Sequence, residues 1–189
     1  MGSPRVALYA VPLLALLERL AAFTPCGSLL DVGCGEGLFT RYLRGVASTV
    51  VGVDLSGTAI TRARQNVPGA VFHCVSVQEY APSQRFDVVV AAEMLYYADD
   101  VEQALDSLRA LGDIVVVSYA RARALQIEHR LGHAGHVTST FHPFFQSKKH
   151  GFTIASFGAR AGGGGARAFS GSARDILSAP GLSAADVSS

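Results

Sequence analysis

The residues with the clearest chemical potential lie in one stretch, Asp31-Val32-Gly33-Cys34-Gly35-Glu36-Gly37, joined further along by a carboxylate at Asp54. Glycines at alternate positions let a backbone approach a ligand closely, with no Cβ atoms in the way. A tight turn without a ligand has the same composition, so the loop is informative only with its surroundings. It is not a dinucleotide fingerprint: Gly33 and Gly35 fit Gly-x-Gly-x-x-Gly, but Leu38 occupies the third glycine's place and Gly37 falls one residue early. It is not a P-loop either, since no Gly-Lys-Ser/Thr follows. Asp31 and Glu36 would both repel a diphosphate, which favours a helix N-terminus free of anions. Like charges in a partly buried site cost on the order of 1 kcal/mol or more. A ligand with cationic centres suits two carboxylates better. Asp54 offers two acceptor oxygens, and an ordinary turn or cap carboxylate is one reading of it.

These residues need a frame, and the hydrophobic pattern supplies one. Residues 12–22 read as an amphipathic helix through Leu13, Leu16, Leu17 and Leu20, with Pro12 in its first turn. Apolar runs at 28–32, 49–53, 70–75, 86–92 and 114–118 read as buried strands. Between them, helical spacing is expected over 38–44, after Ser56 as an N-cap, and from an Asp99/Glu102 start box to Gly112. Strands apolar on both faces, alternating with helices, predict an α/β protein: a doubly wound, Rossmann-like, mostly parallel sheet with helices on both faces. Ligands in such sheets bind at the carboxyl ends of the strands. That rule points to the loops after Val32, Val53, Val75 and Ala92.

The ordered motifs then carry a resemblance. Leu29-Leu30-Asp31-Val32-Gly33-Cys34-Gly35-Glu36-Gly37 resembles the first motif of the class I S-adenosylmethionine (SAM)-dependent methyltransferases. Val50-Val51-Gly52-Val53-Asp54-Leu55-Ser56 is similar to the second motif, and Phe86-Asp87-Val88-Val89-Val90 followed by Glu93-Met94-Leu95 to the fourth. The resemblance runs from about Leu29 to Ser118. It implies SAM as cofactor. Asp31 would lie near the methionine amino group, and Gly33, Gly35 and Gly37 would let the backbone pass close to the ligand. Asp54 would hold the ribose hydroxyls, with Leu55 beside it. Many members carry Gly-Asp after the third strand, but this chain has Val75-Ser76-Val77-Gln78-Glu79. Ser76 replaces the acid there, and the Val77 backbone would serve the adenine edge. The loop Glu93-Met94-Leu95-Tyr96-Tyr97 would line the methionine part of the cofactor and the acceptor. Its tyrosine faces would attract a sulfonium, or simply pack under the sheet edge.

Methyl transfer needs positioning and water exclusion, and a general base only when the acceptor must lose a proton early. Glu93, Tyr97, His133 and His136 are the candidate bases. His133, His136 and His142 read as solvated loop histidines rather than metal ligands, so no metal is expected. The paired-glutamate loop of arginine methyltransferases is absent, as are the Asn-Pro-Pro-Tyr and Asp-Pro-Pro-Tyr sequences that support methylation of amide or base nitrogens. A net charge of +1 gives no strong nucleic-acid signal. The expected reaction is therefore methylation of an oxygen or nitrogen atom of a small-molecule acceptor. Chain size and the Glu-Met-Leu-Tyr-Tyr stretch bear a fainter similarity to small bacterial methyltransferases of the nodulation-factor N-methylating kind.

Three cysteines in 189 residues do not form a disulfide framework, and a cytoplasmic location is expected. No run is clean enough to span a membrane. The expected domain spans 1–160, followed by a Gly/Ala/Ser-rich flexible tail at 161–189. After residue 118 a helix is expected over 122–131 and a strand over 152–157, while 132–142 has no clear pattern. The family completes its sheet with two strands after the fifth. An incomplete sheet here motivates a second reading: a non-catalytic SAM-fold binding or partner protein with an incomplete acceptor side.

Overall fold

Runs of valine and leucine that are apolar at every position lose water from both sides only inside a sheet covered on two faces. In the computed structural model, which describes residues 4–131, 137–143 and 151–158, those runs form its interior. The parallel strands are β1 (Cys26–Val32), β2 (Ala47–Asp54), β3 (Val71–Cys74), β4 (Phe86–Ala92) and β5 (Gly112–Ala120). Two more, β6 (Val137–Pro143) and β7 (Gly151–Gly158), pair antiparallel to each other, and β7 pairs antiparallel to β5. The order across the sheet is β3-β2-β1-β4-β5-β7-β6.

Side chains alternate across the sheet with a period of two, so each strand contributes to two cores. On one face Leu29, Val88, Val90, Val116 and Ile154 pack against Leu16, Leu17 and Leu20 of α1 (Pro4–Ala21). On the other, Leu30, Val89, Val115 and Val117 meet Leu105 and Leu108 of α4 (Val101–Leu111) and Ile127 of α5 (Ala124–Leu131). Val88, Val89 and Val90 are fully buried, and each such side chain contributes about 1.5–3 kcal/mol. The helix α3 (Gly57–Asn66) closes the β2–β3 edge through Ile60, Ala63 and Phe72. Ser56 caps it as expected, accepting a hydrogen bond from the Ala59 N–H.

Four local expectations need correction. The first helix begins at Pro4, so Pro12 lies inside it rather than in its first turn. The helix expected over 38–44 is a single turn, α2 (Thr40–Leu43), and Leu38 is 61% exposed. Left-handed backbone at Gly35 and Gly37 keeps the preceding chain in turns, leaving room for only one helical turn before Gly45. The cap of α4 is Asp100, not Asp99: its carboxylate accepts from the N–H groups of Glu102 and Gln103. The Glu102 side chain is instead bonded to Arg130. Finally, the sheet is not short of a strand. β6 occupies most of the stretch that had no clear pattern, and His142 lies in it, stacked on Phe152 with ring centroids 5.0 Å apart. The observation behind an incomplete acceptor side is thereby removed. His133, His136 and the tail at 161–189 lie outside the described residues.

Candidate functional site

β1 and β4 are neighbours at the place where the chain reverses its progress across the sheet: β1 to β3 step one way, β4 and β5 the other. Loops leaving adjacent strands in opposite directions open a crevice at their carboxyl ends. A cleft of about 570 Å³ lies there. It brings together Gly33, Asp54, Leu55, Ser76, Val77, Glu93 and Tyr97, all singled out from the sequence. Asp31, Gly35 and Gly37 are not on its wall.

The glycine loop is held from below. Gly33 and Cys34 donate their N–H groups to the Val53 carbonyl, at 2.8 and 3.1 Å, which ties the end of β1 to the end of β2. Gly33 has a φ of +72°, and a Cβ there would sit 2.8 Å from the Met94 Cβ. Only glycine satisfies both the left-handed backbone and that close approach.

Asp54 ends β2 with its side chain already oriented. One carboxylate oxygen accepts the Gly35 N–H at 2.9 Å and the other the Ser56 N–H at 2.8 Å. Each oxygen has two lone pairs, so both retain acceptor capacity toward the cleft. Asp31 behaves differently. It is 2% exposed and its carboxylate accepts a 2.6 Å hydrogen bond from the Thr40 hydroxyl. Burial pushes it up to about 7, a rise the Thr40 bond opposes and the nearby Asp54 charge increases. Glu36 turns away from the cleft and pairs with Arg62. Of the two carboxylates thought to disfavour a diphosphate, one is therefore neutralised by a cation and one is buried. The acid that faces the ligand space is Asp54.

Ser76 lines the cleft, but its hydroxyl donates to the Glu79 carboxylate at 2.9 Å and accepts the Glu79 N–H at 3.2 Å. Its side chain closes a turn of its own. Tyr97 stands at the rim, 80% exposed, with its ring 4.6 Å from that of Tyr96. Neither packing under the sheet edge nor full enclosure describes Tyr97. Glu93 lies at the end of β4 with a φ of +54°, the one non-glycine residue among the described residues in the left-handed region. Such a backbone costs on the order of 1 kcal/mol and persists only where the surroundings enforce it. Burial raises the Glu93 carboxyl above the usual carboxylate range, while hydrogen bonds from Ser118, Tyr96 and the Ala120 backbone lower it.

Met94 lines the cleft as its loop was expected to, whereas Gln78, Asp99, Asp100, Gln103 and Ser118 were missed as site residues. A serine closing the apolar run of β5 was the available signal for Ser118. Asp99, Asp100 and Gln103 carried at most a helix-start signal, because their place on the cleft depends on how α4 approaches the sheet. Among the described residues, the charged groups on the wall are Asp54, Glu93, Asp99 and Asp100, and no Lys, Arg or His joins them. The cleft therefore attracts cations and repels anions.

Residues 8–152 match a family model described as a methyltransferase domain. The chain belongs to that family. A ubiquinone biosynthesis O-methyltransferase of Rhodopseudomonas palustris is 34% identical to this methyltransferase domain over 101 residues, 50% of this chain and 40% of that protein. Nodulation protein S of Rhizobium tropici is 37% identical over 82 residues, 42% of this chain and 34% of that protein. The matched stretch thus spans two fifths or less of these curated relatives. The methyltransferase fold is also that of the crystal structure of the N-methyltransferase NodS from Bradyrhizobium japonicum, with a TM-score of 0.68 at 20% identity, covering 84% of this chain and 99% of that one. The same enzyme in complex with S-adenosyl-l-homocysteine (SAH) aligns with a TM-score of 0.66 at 21% identity, over 78% of this chain and 85% of that one.

Proposed function

We propose that this methyltransferase uses SAM to methylate an oxygen or nitrogen atom of a small molecule. The observation that carries the reading is Asp54, a carboxylate held by two backbone N–H groups over an acid-lined cleft at the carboxyl ends of β1 to β4. The donor set fits the cofactor: a diol acceptor, a backbone approach at Gly33, no cation on the described wall to demand a phosphate, and about 570 Å³ of space. The relatives' names, an O-methyltransferase and an N-methyltransferase, support the chemistry without choosing between its two forms.

When bound, SAM supplies a methyl group made electrophilic by its positive sulfur. The chain's residues bind, orient and shield. Asp54 holds the ribose hydroxyls and Leu55, Ser76 and Val77 line the adenosine side. Gly33, Gly35 and Gly37 keep the loop clear of Cβ atoms. Asp31, buried under the glycine loop, would be the carboxylate nearest the methionine ammonium. Glu93, Met94 and Tyr97 form the side from which an acceptor enters. Asp99 and Asp100 make that entrance unfavourable for phosphates and carboxylates, so the acceptor is neutral or cationic.

We assign residues 1–160 to the catalytic domain and 161–189 to a tail, and place the protein in the cytoplasm. Free Cys26, Cys34 and Cys74 suit that compartment, and among the described residues no helix is long and apolar enough to cross a membrane. Incubation with methyl-labelled SAM and a panel of sugars, amines and phenols tests the reaction. Label transferred to a panel member supports it. SAM binding without any transfer favours a non-catalytic binding protein.

A further inference from the structure

Near the end of β5, two residues before Ala120, lies a buried serine whose contacts converge on a residue of the cleft wall. Ser118 is 2% exposed and is not on the cleft wall, whereas Glu93 is. The Glu93 N–H donates to the Ser118 carbonyl at 2.9 Å, one residue beyond the last β4–β5 pair, Ala92 with Ser118. The Ser118 hydroxyl donates to one oxygen of the Glu93 carboxylate at 3.1 Å. The Tyr96 hydroxyl donates to the other oxygen at 3.4 Å. Main chain and side chain of Glu93 are thus gripped by the same serine, and the tyrosine completes the hold. A left-handed φ of +54° at a non-glycine residue is what this grip maintains.

We infer that Ser118 and Tyr96 are positioning residues that fix the Glu93 carboxylate at the acceptor side of the cleft, as the group that takes the acceptor's proton. The inference rests on reading the cleft as a methyl-transfer site. One oxygen of Glu93 takes the O–H or N–H proton of the acceptor. The lone pair so freed forms the bond to the methyl carbon, and the methyl–sulfur electron pair leaves with sulfur. Glu93 later returns the proton to water. Both hydroxyl donors favour the ionised carboxylate, the form able to accept, against the burial that disfavours it. The other titratable groups near it are Tyr96 and Tyr97 on the following turn. Asp54 at the end of β2 and Asp99 and Asp100 at the start of α4 line the same cleft. Among the described residues no Lys, Arg or His lies on that wall, so the two hydroxyls, with the Ala120 backbone, carry the task of keeping Glu93 charged.

The test is the titration of the Glu93 side-chain carbon by NMR in SAH-bound protein carrying labelled glutamate, with the resonance assigned through Glu93→Gln. Ser118→Ala should raise its midpoint by roughly half a unit or more, the loss of one hydrogen bond to a charged form. Tyr96→Phe, which barely changes volume, should raise it in the same direction. Ser118→Thr should restore the wild-type midpoint. SAH affinity measured by calorimetry should stay within about twofold in Ser118→Ala, Ser118→Thr and Tyr96→Phe, because both hydroxyls are bonded to the Glu93 carboxylate. A midpoint unmoved by both Ser118→Ala and Tyr96→Phe overturns the inference. So does a loss of SAH affinity in step with the shift, which would put Glu93 on the cofactor instead. Failure of wild-type protein to bind SAH would sink the reading of the cleft itself, while the ligand-free titration would still report on the grip.

Discussion

Asp54 uses one lone pair of each carboxylate oxygen on a backbone N–H and presents the others to the cleft. Replacing it with alanine removes a charged, prealigned acceptor pair. Asp54→Ala should weaken SAM binding tenfold or more, in keeping with about 1.5–3 kcal/mol for hydrogen bonds to a charged group; titration calorimetry reads this directly. Asp31 makes a different prediction through pH. Its folded-state value of about 7 lies above its ordinary value of 3.8. Between those values the folded state holds a proton that the unfolded state has lost, so stability falls as pH rises through that window. Asp31→Asn carries no such penalty. The melting temperature of the variant, relative to wild type, should therefore climb between pH 4 and 8, which thermal denaturation across that range checks. A flat difference would show that Asp31 is ionised throughout. Both acids stand out in the sequence because each follows an apolar run. Their unequal exposure does not, since it depends on Thr40 and the packing of a turn far shorter than the helical spacing suggests.

At the scale of elements, the glycine loop and the start of α4 both line the cleft. Gly33→Ala forces a Cβ to 2.8 Å from that of Met94 in a left-handed backbone. It should destabilise the protein by roughly 1–3 kcal/mol and shift the urea midpoint accordingly, with SAM affinity falling as Met94 is displaced. Asp100→Ala removes the cap that two N–H groups share and should cost about 1 kcal/mol. Asp100→Ser, which keeps a capping oxygen, should recover most of that loss in the same denaturation experiment. Strand β4 was legible to the residue, because Phe86–Ala92 is a valine-rich run bounded by polar residues. Strand β6 was not: Val137–Pro143 reads Val-Thr-Ser-Thr-Phe-His-Pro, with the polar surface of an edge strand and only a weak apolar alternation. Its pairing with β7, from Val137 opposite Phe157 to Pro143 opposite Gly151, is what makes it a strand.

Across the whole molecule, β7 lies between β5 and β6 and runs against both. That places Ile154 fully buried in the same core as α1, although the two are far apart in sequence. Ile154→Ala should cost about 2–5 kcal/mol, seen as a lowered melting temperature; a loss below about 1 kcal/mol would be the signature of an edge rather than an interior strand. The parallel core and the side of the sheet that carries the cleft followed from alternating apolar runs and helix signals. The position of β7 did not, because which strand fills a given edge is settled by packing between distant segments. The central claim is that the cleft over β1 to β4 is a SAM site built on Asp54. Calorimetric titration of SAM into folded wild-type protein and folded Asp54→Ala, side by side, tests it most directly. Saturable one-to-one binding by the wild type, weakened at least tenfold in the variant, is the expected result. No binding by the wild type, or equal affinity in both, would contradict it.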